Sequence, residues 1–223
     1  MPDHSTIFYG GIPIGSRKIG DSLLSRWLFN PPLVDDIPGY EYALASALRS
    51  NVREGDNVVV VGGGVGVTAT IAAIAVGEKG SVKCFEGDRL GVAAVQQTAA
   101  LSGVDDRVTV YHAIVGEEIE VWGSSPSNIA VRPDELPSCD VLELDCEGSE
   151  VGILRDMLIE PRIIAVETHG FLGSPTGDVR NILENRGYQV SDLGFAEPRL
   201  ETECANRDIR VLVGRKEVAT ENP

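Results

Sequence analysis

Lysine is almost missing from this sequence: it stands only at Lys18, Lys79, Lys83 and Lys216, and 34 acidic residues face 19 basic ones for a net charge of −15. A phosphate backbone requires a basic patch, and the few basic residues here are scattered along the chain, so no nucleic acid partner is expected. The acidic, lysine-poor composition resembles proteins of salt-loving organisms, where ionic strength screens self-repulsion, as much as it resembles an ordinary acidic cytosolic protein. Long apolar runs are also lacking. Nothing approaches the roughly 20 residues needed to cross a bilayer, and the N-terminus shows no basic region followed by an apolar stretch. A cytoplasmic location with no membrane partner is therefore the expectation. Cysteine is sparse. Cys84, Cys139, Cys146 and Cys204 have neither paired short spacing nor a His-rich companion segment, which predicts free structural thiols, no disulfide and no metal site.

What is present is ordinary globular composition, 43% hydrophobic and 24% charged over 223 residues. That length fits one α/β domain with a full core. Residues 1–39 are broken by Gly10-Gly11, Pro31-Pro32 and Pro38-Gly39 and read as an irregular lead-in or cap that covers the pocket. The main domain is expected over 40–216, with 217–223 as a tail.

Within it, helical and extended patterns alternate. The spacing predicts a helix from about Tyr40 to Val52, a buried strand at Val58 to Val61, a helix at Val67 to Val76 and a strand at Ser81 to Phe85. A helix after Asp88 would turn Leu90, Ala94, Gln97 and Leu101 inward. Strands follow at Val108 to Tyr111, Val141 to Leu144 and Ile163 to Val166. A helix near Ser149 would bury Val151, Leu154 and Leu158, and one near Asp178 would bury Val179, Ile182 and Leu183. The tail segments Gln189 to Ser191 and Ile209 to Val213, with no helix-length pattern between them, predict an antiparallel pair. Repeated β-α units imply a parallel sheet with right-handed crossovers.

Four segments carry chemistry. VVVVGGGVG, Val58 to Gly66, runs a buried strand into a glycine turn at a helix start, where bare backbone and unpaired N–H groups can receive a ligand carboxylate or a pyrophosphate. Gly64-Val65-Gly66-Val67-Thr68-Ala69 also matches the dinucleotide fingerprint in letters, although its first glycine falls two residues after the strand. VKCFEGD, Val82 to Asp88, ends the next strand in Glu86, placed to accept both ribose hydroxyls of an adenosine ligand; Asp88 reads as a helix cap. DVLELDCEGSE, Asp140 to Glu150, ends a strand in acids at the edge of the expected site. Asp145 and Glu147 point to the reaction centre, with Glu143 on the same face, while Glu150 reads as favourable charge in a helix first turn. IIAVETHG, Ile163 to Gly170, ends in Glu167 and His169, at a strand end where catalytic groups collect.

Together these segments resemble the FkbM family of class I S-adenosylmethionine (SAM)-dependent methyltransferases. The resemblance runs from Glu41 to Val213 and includes the glycine loop, Phe85-Glu86, Leu101-Ser102-Gly103, Ala113 to Gly116, Glu167 and Gly187-Tyr188. Its most specific part is Asp145-Cys146-Glu147-Gly148-Ser149-Glu150, which is similar to the family's D-x-E-G-x-E pattern. Val60, where an acid is common in that family, and Gly64, where Asn is frequent, depart from the pattern.

The resemblance implies a Rossmann-like fold: a seven-stranded, mostly parallel sheet with one antiparallel strand near the edge and helices on both faces. It further implies SAM as cofactor, held by Gly62, Gly63, Gly64, Gly66, Glu86, Gly87 and Ala113. The implied activity is methylation of a hydroxyl on a sugar or other small metabolite. Since a protonated hydroxyl is a poor nucleophile, a base should help, and Asp145, Glu147 and His169 are the candidates in that order. A methyltransferase-like protein that binds SAM without chemistry, and a nicotinamide-dependent reductase, are the competing expectations.

Overall fold

A run of four valines has no polar alternation, so a strand built from it must be covered on both faces. In the computed structural model, which describes residues 6–14, 36–116 and 129–216, that run lies in β3 (Asn57–Val61) with all four valines buried. It is the centre of a seven-stranded sheet. β4 (Ser81–Glu86), β5 (Val108–His112), β8 (Val141–Leu144) and β9 (Ile163–Glu167) run parallel to it. β11 (Arg210–Arg215) pairs antiparallel with both β9 and β10 (Gln189–Phe195), giving the order β10-β11-β9-β8-β3-β4-β5. The reversed strand thus stands second from one edge, as the resemblance implied.

Helices α1 (Tyr42–Asn51), α2 (Val67–Val76) and α3 (Arg89–Leu101) pack with one sheet face, where Leu44, Leu48, Ile71 and Val95 are buried. On the other face α4 (Glu150–Asp156) and α5 (Thr176–Asn185) bury Ile153, Leu154, Val179 and Leu183. Three element readings need correction. The inward face of α3 is Gly91, Ala94, Val95, Thr98 and Ala99, whereas Gln97 and Leu101 are exposed. Close approach to the sheet and glycine loop selects small side chains there, so leucine was a poor guide. Leu158 is likewise 75% exposed because α4 stops at Asp156, and Met157 fills the core instead. Finally, a short helix, α6 (Glu201–Arg207), separates β10 from β11; it buries only Cys204 and leaves no periodic signature.

The N-terminal segment is less irregular than its glycines imply. β1 (Ile7–Tyr9) and β2 (Ile12–Ile14) form an antiparallel hairpin around Gly10-Gly11, and Tyr9, Ile12 and Ile14 join the core beside α2 and α3. Residues 15–35 of the expected cap over 1–39, Pro31-Pro32 among them, lie outside the described residues. A two-residue parallel pair, β6 (Ile114–Val115) with β7 (Ala130–Val131), was not foreseen. All four cysteines are free, and among the described residues no helix is long and apolar enough to cross a membrane.

At the strand N-termini charge is paired. Asp56 accepts hydrogen bonds from the Arg53 N–H (2.7 Å) and from Arg162 Nη2 (2.7 Å), with both side chains of the ion pair nearly enclosed. Removing the guanidinium by Arg162→Ala should cost about 2 kcal/mol, the usual loss of a hydrogen bond to a charged group. That corresponds to a fall on the order of 5 °C in Tm, read by calorimetry. An unchanged Tm would show that the pair contributes nothing.

Candidate active site

At the opposite, C-terminal ends of the strands several acids gather around one histidine, His169. β3 leaves the sheet at Gly62, whose φ of 96° lies in the left-handed region. A Cβ there would stand 1.7 Å from the Asp145 carbonyl oxygen, so the position requires glycine on two counts. The turn closes through a hydrogen bond from the Gly66 N–H to the Gly63 carbonyl (2.8 Å) and leads into α2.

Glu86, at the end of β4, reaches under this turn. Its Oε2 accepts from the N–H groups of Gly63 and Gly64 at 2.8 Å each, and its Oε1 accepts from the Asp88 N–H at 2.7 Å. Burial raises its pKa, against the lowering effect of these three N–H donors. Asp88 caps α3 as expected, accepting from the Leu90 and Gly91 N–H groups.

Along the strand ends runs a cleft lined by Gly62, Gly64, Glu86, Gly87, Ala113 and Asp145, with Tyr40, Glu41, Phe85, Cys146 and Glu147 completing its walls. Five expected cofactor contacts therefore face one space. Gly63 and Gly66 do not: a Cβ on Gly63 would meet Cys84 and Val95, and one on Gly66 would meet α3, so their small size serves packing. Among the described residues no lysine or arginine lines the cleft, and five carboxylates do.

β8 ends in the second turn. Glu147 is held at φ 55°, a left-handed backbone that costs ~1 kcal/mol for a residue other than glycine and that clusters at functional sites. Glu41, on the facing wall, shares that conformation with φ 45°. Sequence periodicity placed Glu41 inside a helix, and nothing in it signals a backbone reversal. Its pKa is raised by burial first, then by the Asp145 and Glu197 charges, against a hydrogen bond with Tyr40.

Glu150 is the larger omission. It does open α4, but it is fully buried rather than a surface charge. It accepts hydrogen bonds from the Cys146 N–H (3.1 Å) and the Gly148 N–H (3.0 Å), holding the β8-α4 turn as Glu86 holds the glycine turn. It also bonds His169 Nδ1 at 2.8 Å. The D-x-E-G-x-E spacing was the available signal.

His169 is 3% exposed and lies behind the cleft wall. Its Nε2 faces three acids: Asp145 Oδ1 at 3.6 Å, Glu147 Oε2 at 3.8 Å and Glu167 Oε1 at 3.8 Å. Burial lowers its pKa, but the Glu150 hydrogen bond and the Asp145, Glu150 and Glu147 charges outweigh that and push it up to about 9. A free imidazole base at neutral pH is therefore not what this environment favours. Asp145 is raised by burial, an effect opposed by His169 and reinforced by Glu147, Glu150 and Glu86. Glu143, one tier below Asp145 on the same strand face, is wholly buried with neither carboxylate oxygen hydrogen-bonded, and its pKa is pushed well up by that burial.

This strand order, with a glycine turn after the first strand of the parallel core, an acid ending the second and an acidic turn ending the fourth, defines a class I methyltransferase. The chain matches the Methyltransferase FkbM domain over residues 38–190 and belongs to that family of SAM-dependent enzymes, whose cofactor is SAM. No curated protein sequence matches it. Its fold is similar to a SAM-dependent O-methyltransferase from Thermotoga maritima, with 15% identity, 82% of this chain and 68% of that one covered, and a TM-score of 0.53. A ribosomal protein L11 methylase from Lactobacillus delbrueckii subsp. bulgaricus is similar at 13% identity, 85% and 83% coverage and a TM-score of 0.55. A precorrin-6y C5,15-methyltransferase from Geobacter metallireducens is similar at 14% identity, 81% and 89% coverage and a TM-score of 0.52.

Proposed function

We propose that the protein methylates a hydroxyl of a small metabolite, with the cofactor in the cleft between the glycine turn and Glu86 and the acceptor beside Asp145. The observation that carries this reading is the row of acids at and just beyond the ends of β4 and β8, Glu86, Asp145 and Glu147, around a cleft that no lysine or arginine among the described residues lines. SAM bears a sulfonium and an ammonium, so such a cleft suits it. Gly64, where a Cβ would meet open space, leaves room for a ligand against the turn.

When bound, SAM supplies an activated methyl group: its S–CH3 bond breaks as the O–CH3 bond forms, giving S-adenosylhomocysteine (SAH) and a methyl ether. Glu86 accepts the ribose hydroxyls with the lone pairs its three N–H partners leave free. Asp145, at the strand end and partly open to the cleft, receives the hydroxyl proton, and its raised pKa suits a base working near neutral pH. Glu147, at the rim, orients the acceptor. Gly87 and Ala113, which line the same cleft, would border the cofactor, their small size leaving room for it.

Two features oppose a nicotinamide reductase. The amides of Gly63 and Gly64, which would hold a pyrophosphate, are engaged by Glu86, and the lining acids repel a dianion. Labelled SAM offered with a panel of polyols, sugars and hydroxylated metabolites tests the reaction class. Label recovered in a base-stable ether is expected; label on nitrogen or in an ester would overturn the choice of oxygen acceptor. Glu86→Ala should weaken SAH binding by about 1 to 3 kcal/mol in calorimetric titration. Equal affinity in a folded variant would remove Glu86 from the site.

A further inference from the structure

We propose that Asp145, Glu167 and His169 form a binding site for one divalent cation of the Mn2+ class, set against the wall of the cleft. Their ligand atoms all lie within 4.8 Å of one another. The set mixes carboxylate oxygen with imidazole nitrogen, a combination that suits a borderline-hard ion such as Mn2+.

The local geometry is that of ligands around an ion and not of a closed hydrogen-bond network. His169 Nε2 faces Asp145, Glu147 and Glu167 at 3.6, 3.8 and 3.8 Å. A charged N–H···O bond closes to about 2.7 to 2.9 Å, and none of the three does so. Atoms bound at roughly 2.0 to 2.2 Å from a metal stand about 3 to 4 Å from each other, so the 3.6 and 3.8 Å separations from Nε2 fit, while a separation as wide as the 4.8 Å limit of the set would have to close slightly on binding.

Two further observations point to a cation. Glu150 bonds His169 Nδ1 at 2.8 Å, so an ion that displaces the Nε2 proton to solvent would find that lone pair directed at the acids; a carboxylate behind a ligating histidine is how metal sites fix that ring. Glu143, fully buried with both oxygens unpartnered, lies one tier beneath Asp145 on the same face and has no cation of its own among the described residues. Burial disfavours the charged form of that acid, and a positive ion held at Asp145 would relieve the cost.

Resting on the methyl-transfer reading, the ion would bind the acceptor oxygen and make its proton easier to lose. Asp145 would then serve the acceptor twice, one carboxylate oxygen holding the ion and the other receiving the hydroxyl proton, with Glu147 still orienting the acceptor from the rim.

The test uses the full chain, stripped with EDTA and titrated with MnCl2 while electron paramagnetic resonance follows the free-ion signal. Saturable binding of one Mn2+ per chain is expected, with nitrogen modulation from a coordinated imidazole in the pulsed spectrum. Glu167→Gln and Glu150→Gln should each weaken binding by about 10-fold or more. An undiminished free-ion signal at millimolar Mn2+, binding without nitrogen modulation, or unchanged affinity in a folded Glu167→Gln protein would overturn the site. The wild-type spectrum decides the matter even where a variant fails to fold. SAH binding measured in EDTA reads the cofactor assignment separately: if SAH does not bind while Mn2+ does, the methyltransferase reading fails and the metal site stands.

Discussion

Asp145→Asn is expected to lower turnover by about 10²- to 10⁴-fold while changing SAH affinity far less. The substitution preserves shape and removes the charge. Asp145 borders the cleft, and its environment already raises its pKa through burial, so a proton from the acceptor has a ready destination there. If a cation lies between Asp145 and the acceptor, the same variant loses a ligand charge, and turnover falls for that reason. Glu147→Gln should lose less, because Glu147 stands at the rim with its side chain 37% exposed. His169→Ala is the control: full turnover in Asp145→Asn with none in His169→Ala would move the essential role to the histidine. Equal turnover in all three variants would mean that alignment of the acceptor alone carries the reaction.

Gly62→Ala is expected to give the largest stability loss of any single change at the site, about 3 to 5 kcal/mol, the upper range for one substitution. The added Cβ would meet the Asp145 carbonyl oxygen at 1.7 Å, and the φ of 96° disfavours any side chain. Neither the end of β3 nor that of β8 can yield without breaking the bonds from the Gly62 N–H to the Phe85 carbonyl and from the Asp145 N–H to the Val61 carbonyl, both 2.9 Å. SAH binding should fall with it, since the turn also carries Gly63 and Gly64 onto Glu86. Gly64→Ala is the comparison: its φ is 52° but a Cβ meets nothing within 4 Å, so only the backbone cost of ~1 to 2 kcal/mol applies. Equal Tm values for the two variants would contradict the close approach at Gly62.

The sheet was legible because its strands are short apolar runs covered on both faces, and Val141 to Leu144 falls on β8 residue for residue. Helix faces were read less well. The inner surface of α3 is chosen by smallness, with Gly91 under the Glu86 carboxylate, and hydropathy does not register smallness. In the site, Glu86 was found because it ends β4 beside Gly87, and Asp145 and Glu147 because they follow the apolar run of β8 in a turn that closes at Gly148. Glu41 was hidden because it becomes part of the cleft only through a left-handed backbone at the start of α1. Glu150 and His169 are 19 positions apart, and their bond at 2.8 Å follows from the packing of α4 against the end of β9. Val60, the departure from the family pattern, stands opposite Glu143 in the β3-β8 register, so the acid missing from one strand is present on its neighbour.

The central claim is that the cleft between the glycine turn and Glu86 holds SAM. The most direct measurement is the melting temperature of the intact protein with SAH or with NAD at saturating concentration. Ligand binding to the folded state raises Tm by mass action, with about 2.7 kcal/mol gained at a hundred times Kd. SAH is predicted to raise Tm, by several degrees at such an excess, and NAD to leave it unchanged. A rise with NAD and none with SAH would contradict the account.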